Sequence, residues 1–209
     1  MTARSLVVVT AGLSQPSSTR LLADRLVAGA ERALGEAGVE VATTVVELRD
    51  HAQDLVNHLL TGFPPRALQG TIDAVVEADG LIAVTPIFSG SYSGLFKLFF
   101  DVVEHEALEG MPVLIGATGG TARHSLALDH AVRPLFTYLG GTVMRTAVYA
   151  ASEDWGQAGA PADGALTDRI ARAGAELAAA MAGSPRVRPS DPFDEPIPFE
   201  QLLGRPPTD

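Results

Sequence analysis

The sequence predicts an α/β fold: a doubly wound, five-stranded parallel sheet of order 2-1-3-4-5, with helices on both faces. Three observations carry that expectation. Short β-branched runs alternate with helical stretches along the 209 residues, the pattern of strand–crossover–strand units. The first run, Leu6–Thr10, is apolar without alternation, as in a strand covered on both faces. The segments richest in Gly, Ser and Thr follow strands one, three and four. In the order 2-1-3-4-5 those strands are neighbours, and such sheets bind ligands outside their carboxyl ends.

Each element has a local reason. Leu6–Thr10 is strand one, and the helical pattern of Thr19–Gly35 follows, with Gly38 as its stop. Val39–Leu48 is strand two. Arg49–Gly62 is weakly patterned and reads as loop and short helix, with His51 and His58 solvated. Pro64-Pro65 opens a helix running to about Asp79. Leu81–Thr85 is strand three, Pro86–Gly94 a loop, and Leu95–His105 a helix. Pro112–Ala117 is strand four, followed by the loop Thr118–Thr121 and a long helix to Leu139. Thr142–Tyr149 is strand five. A Gly- and Ala-rich loop, Ala151–Asp163, leads to a final helix, Ala165–Ala182. Residues 1–182 thus form one domain. The remaining tail, Gly183–Asp209, holds seven of the 14 prolines, too many for a helix or central strand. Its Phe193, Ile197, Phe199, Leu202 and Leu203 suit packing on its own domain, a second copy or another protein.

The totals exclude several classes. The net charge is −10 and the pI about 4.9, opposite to the basic footprint of a nucleic-acid binder. With no cysteine, disulfides, thiolate nucleophiles and thiolate-held metals are out. No stretch approaches the roughly 20 apolar residues of a membrane span. The N-terminal apolar run, Leu6–Val9, is too short for a signal-peptide core. A cytoplasmic protein without a membrane or a metal is the expectation.

Three loops carry chemistry. Ala11–Arg20 has four hydroxyls within six residues, Ser14, Ser17, Ser18 and Thr19, at a strand-to-helix turn. Such hydroxyls beside the free N–H groups of a helix N-terminus make a socket for a phosphate; the alternative is a simple helix cap. The loop is neither a Walker A motif nor GxGxxG. Glu47 lies where a dinucleotide's ribose partner would sit, yet the glycines are missing. A terminal monophosphate, as in FMN, suits the loop better than a pyrophosphate. Pro86–Gly94 offers Phe88 and Tyr92 to a flat ring and Ser89 and Ser91 to its polar edge; the alternative is a polar turn with buried aromatics. Thr118-Gly119-Gly120-Thr121 supplies backbone amides for the edge of a flavin. Arg123 suits a nicotinamide dinucleotide phosphate and His124 the ring; alternatively Arg123 pairs with Asp129 or Glu153, and His124 is an ordinary surface residue. A Ser125–His124–Asp129 hydrolase lacks the G-x-S-x-G elbow.

These segments resemble a known family. AGLSQPSSTRLLADRL resembles the phosphate loop of NADPH-dependent FMN reductases, TPIFSGSYSGLFKLFFD their second segment, and ATGGTARHSLALDHAVRPLF their third flavin loop and its helix. More narrowly, the chain resembles the actinobacterial subgroup associated with luciferase-like monooxygenases. The resemblance implies a flavodoxin-like fold, bound FMN, NADPH or NADH as reductant, a homodimer or homotetramer, and reduced flavin supplied to a partner monooxygenase. It places phosphate binders on Ser14, Ser17, Ser18 and Thr19. Its ring contacts fall on Pro86, Ile87, Phe88, Ser89, Ser91, Thr118, Gly119 and Gly120. Phe88 stands for the family's usual Tyr, and Ser93 for its common Pro. Alternatives are a flavodoxin-like electron carrier, or a quinone or azo-dye reductase on the same scaffold. No protein acid or base is expected, because the cofactor carries the chemistry.

Overall fold

The computed structural model describes residues 3–155 and 164–183. The apolar runs become β1 (Arg4–Thr10), β2 (Val41–Glu47), β3 (Gly80–Phe88) and β5 (Pro112–Gly119). They pair in parallel in the order β2-β1-β3-β5. The fifth position is shared by β6 (Thr142–Val143) and β7 (Val148–Ala151), both parallel to β5. The expected order 2-1-3-4-5 therefore holds for the parallel sheet. The Pro-rich tail lies outside the described residues beyond Gly183.

Side chains leave β1 toward two cores. Leu6 and Val8 pack against α1 (Ser18–Glu36) and α6 (Gly164–Ala182). Val7 and Val9 pack against a second core that includes Leu55 of α2 (Ala52–Thr61), Leu68 of α3 (Arg66–Val76), Phe96 of α4 (Gly94–Asp101) and Phe136 of α5 (Arg133–Tyr138). Both faces are covered along β1, β3 and β5, which is why their buried runs are apolar, whereas β2 at the edge alternates half-buried and exposed residues. The α1–α6 contact is close: a Cβ on Gly174 would sit 2.6 Å from the Gly29 carbonyl carbon. Among the described residues, no helix is long and apolar enough to cross a membrane.

The structure corrects four local expectations. The expected loop Pro86–Gly94 is a hairpin: β3 runs on through Phe88 and pairs antiparallel with β4 (Ser91–Tyr92). Its two turn residues, Ser89 and Gly90, have φ of 50° and 83°, as a tight primed turn requires. The expected long helix before Leu139 is broken. A 3₁₀ turn (Ala122–His124) precedes a wide π turn (Leu128–Val132), in which Arg133 N donates to Leu128 O, five residues back. Pro134, at the start of α5, has no N–H for a regular turn there. His51 and His58 are half-buried rather than solvated, and His51 Nε2 lies 3.1 Å from Thr71 Oγ1.

The fourth correction concerns the edge strand, expected to run unbroken over Thr142–Tyr149. It is interrupted at Met144–Ala147. Glu176 of α6 accepts hydrogen bonds from Thr146 N at 2.7 Å and Thr146 Oγ1 at 2.6 Å. Arg133 donates to the Met144 and Arg145 carbonyls. These side chains replace the sheet as partners of the backbone there.

Burial alone would raise the Glu176 pKa, but the two bonds from Thr146, with Arg145 and Arg172 nearby, lower it below the ordinary carboxylate value. A lowered native pKa gives stability that is complete above the unfolded value and is lost as pH falls through the native one. Glu176→Gln is therefore destabilising by about 1 kcal/mol near neutral pH, and the difference from wild type closes in acid. Urea unfolding of both proteins across the acid range checks this.

Candidate functional site

Parallel register brings the three loops to one rim. Thr10, at the end of β1, pairs with Glu47 of β2 and Val84 of β3, and Pro86 pairs with Thr118 of β5. Thr19 of α1 and Thr118 of β5 are joined directly, Oγ1 to Oγ1 at 2.8 Å, with both residues buried. The first and third loops are thus tied by their own side chains.

In the first loop, Leu13–Pro16 is exposed. Ser17 is the N-cap of α1 and accepts from Arg20 N at 3.2 Å, so the capping alternative is realised at that residue. Gly12 has no room for a side chain: a Cβ would lie 2.0 Å from Ser17 Oγ. The hydroxyl side of the loop therefore closes over bare backbone. Ser14 and Ser18 are exposed, whereas Thr19 faces inward to Thr118. The first turn of α1 contains no acidic residue, so no side chain of that turn opposes an anion at its positive end. Thr10 Oγ1 is buried at this end of β1 with no hydrogen-bond partner, an unmet polar group of the kind a ligand or water satisfies.

The second loop presents Phe88 half out of the surface, 49% exposed, at the hairpin tip with Ser89 and Gly90. Ile87 and Tyr92 pack against the core, and Ser91 is half-buried. Pro86 is buried as the register neighbour of Thr118. Ser93, in the family's Pro position, caps α4 by accepting from Phe96 N, and its own N donates to Thr85 Oγ1. Lys97 pairs with Asp101.

The third loop is set by a residue outside the expected site. Tyr149 of β7 donates to the Thr121 carbonyl at 2.9 Å, and a Cβ on Gly119 would lie 2.1 Å from its hydroxyl oxygen. Burial, then the Asp154 and Glu153 carboxylates, raise the Tyr149 pKa, which keeps it a neutral donor. Gly120 is open. Arg123 and His124 are exposed on the 3₁₀ turn. The expected partner Asp129 is taken by Arg133 at 3.1 Å, and Arg123 has no ion pair among the described residues.

The sequence reading passed over Gly12, Tyr149 and Arg49. Gly12 stands alone without a glycine pattern, and Tyr149 acts from the neighbouring strand. Arg49 lies in the stretch read as weakly patterned, yet reaches Ser14 O at 3.2 Å.

A helix N-terminus free of acidic residues, a hydroxyl loop and an exposed aromatic lie at the carboxyl ends of a doubly wound sheet. That combination defines a mononucleotide-binding α/β protein of the flavodoxin-like class. The chain belongs to the NADPH-dependent FMN reductase family, whose model matches residues 5–156. It is 39% identical over 150 residues to an FMN reductase (NADPH) of Pseudomonas aeruginosa, covering 72% of this chain and 78% of that one. It is 34% identical over 177 residues to an NADH-dependent FMN reductase, SfnF, of Pseudomonas fluorescens, covering 85% and 89%. Among solved structures, an oxidoreductase from Corynebacterium diphtheriae superposes with a TM-score of 0.82 at 42% identity, over 86% of this chain and 97% of that one. An apo NADH:FMN oxidoreductase superposes with a TM-score of 0.73 at 26% identity, over 95% and 99%.

The Thr19–Thr118 bond makes a measurable difference. Thr118→Val leaves the Thr19 hydroxyl buried without its partner and is destabilising by about 1–3 kcal/mol. Thr118→Ser keeps the bond and loses little. Denaturant unfolding of the three proteins separates these outcomes.

Proposed function

We propose that this rim holds FMN, with its phosphate at the N-terminus of α1 and its ring between the Phe88 hairpin and the Gly119-Gly120 backbone. As a member of its family the protein is an NAD(P)H-dependent FMN reductase, an oxidoreductase. One observation carries the placement. The first turn of α1 is free of acidic residues, flanked by the exposed hydroxyls of Ser14 and Ser18, and adjoins the unpartnered Thr10 hydroxyl. That donor set fits a phosphate monoester.

FMN, when bound, supplies the redox chemistry by accepting hydride from the nicotinamide. The protein's own groups bind and orient. Ser14 and Ser18 donate to phosphate oxygens, while Ser17 keeps the helix capped. Phe88 gives a flat apolar contact, with Pro86 and Ile87 stiffening the strand beneath it and Ser89 and Ser91 on its polar side. Gly119 and Gly120 present amides to the ring's polar edge, and Tyr149 fixes them through Thr121 O. Arg123 meets a phosphate of the dinucleotide, and His124 lies beside it. No side chain need transfer a proton.

The relatives carry both NADPH and NADH in their names, so either nicotinamide is a candidate reductant. A homodimer or homotetramer is the expected assembly, supported by the exposed Val56, Leu59 and Leu60 of α2 and Phe63 just after it. Delivery of reduced flavin to a monooxygenase is the accompanying proposal.

FMN-dependent consumption of NADPH or NADH by purified protein tests the reaction; a flavodoxin-type carrier would consume neither. Ser18→Ala weakens FMN by about 1–3 kcal/mol, as for a lost hydrogen bond to a charged group. Arg123→Ala raises the nicotinamide KM and leaves FMN affinity in place. Fluorescence titration of FMN, with steady-state kinetics, reads both; unchanged FMN affinity in Ser18→Ala counts against the socket.

A further inference from the structure

Residues 12–16 make no backbone-to-backbone hydrogen bond among the described residues. Leu13–Pro16 is exposed, so apolar packing does not hold the tip of the loop. Among the described residues, a single side chain from another element does. Arg49 Nη1 donates to Ser14 O at 3.2 Å. With the Gln15 amide turned so that its oxygen faces the guanidinium, that oxygen accepts from Arg49 Nη2 at 2.5 Å and Nη1 at 3.0 Å.

Arg49 is itself held. Its Nη2 lies 2.5 Å from Glu47 Oε2, and the other oxygen of Glu47 lies 2.5 Å from Arg20 Nη1. Glu47 is the register partner of Thr10, and the backbone N of Arg20 donates to the capping Ser17. One carboxylate at the end of β2 thus connects the entry of the loop, its tip through Arg49, and its exit through Arg20. The cluster offers an anion little net attraction. Its two arginines face three carboxylates: Glu47, Asp24 at 2.7 Å from Arg20, and Asp50 at 3.7 Å from Arg49. The Nη1 and Nη2 donors of Arg49 are spent on the loop and on Glu47.

We propose that Arg49, oriented by Glu47, is a positioning residue for the phosphate loop. FMN affinity then depends on Arg49 without its guanidinium touching the phosphate. This rests on the placement of the FMN phosphate at Ser14–Thr19. Freed of Arg49, the loop must be ordered anew at each binding event. A planar fork serves Ser14 O, Gln15 and Glu47 together, which an ammonium group does not.

The test uses the full chain with FMN as probe, read by flavin fluorescence titration, steady-state kinetics and thermal midpoint. Arg49→Ala raises the FMN Kd about tenfold, and the effect falls on the FMN KM rather than on kcat. Arg49→Lys restores less than half of the loss. Glu47→Gln also weakens FMN, and the double variant is no weaker than Arg49→Ala, because the two residues act as one unit. If Arg49→Ala unfolds, Arg49→Gln carries the same expectation. An FMN Kd within twofold of wild type in a folded Arg49 variant overturns the proposal. Tighter FMN in Glu47→Gln also overturns it, since a guanidinium released from Glu47 would then be a direct phosphate ligand. Failure of the underlying placement has a different signature: Ser18→Ala is silent while Arg49→Ala acts, and the proposal falls with it.

Discussion

The parallel pairing of β1, β3 and β5 is the constraint on which the site depends. Each strand is apolar on both sides because helices cover both faces of the sheet, and this burial fixes the register. Register in turn fixes where each strand ends. Thr10 is level with Val84, and two residues further on Pro86 is level with Thr118, so the segments that follow emerge on the same rim. The buried bond between Thr19 and Thr118 then couples the first turn of α1 to the end of β5. Polar groups placed there are held by the sheet, so little order has to be created when a ligand arrives.

Much of this was legible in the sequence, and the parts that were not share a physical cause. Leu6–Val9 reads as a buried strand because four consecutive apolar residues need two covers. The hydroxyls of Ser17, Ser18 and Thr19 mark a helix start because any of them can answer a local need, the free N–H groups of the first turn. Signals that act over a few residues are visible in a single chain. The hairpin at Ser89-Gly90 was missed because Ser at positive φ is uncommon and gives no warning. The break before Leu139 turns on Pro134, which lacks the N–H of a regular turn, whereas the break at Met144–Ala147 was missed for another reason. Glu176 and Arg133 compete for backbone groups from distant or unexpected positions, and no window of local sequence contains both partners.

The candidate site divides in the same way. The hydroxyl cluster and the paired glycines could be found by composition. Tyr149 reaches Thr121 from the neighbouring strand, and Arg49 reaches Ser14 from the turn after β2. Their importance comes from what they hold in place. Gly12 lies between these cases. Its necessity follows from a Ser17 hydroxyl five residues away, a contact that no glycine motif encodes.

The interruption beside β5 has a consequence of its own. An outermost strand with a regular run of unpaired N–H and C=O groups is a template on which foreign strands can grow. Here that border is only two residues long in β6 and four in β7. Between them Glu176 occupies the amide of Thr146, and Arg133 occupies the carbonyls of Met144 and Arg145. The molecule therefore carries, on its own flank, a built-in stop against sheet-to-sheet propagation.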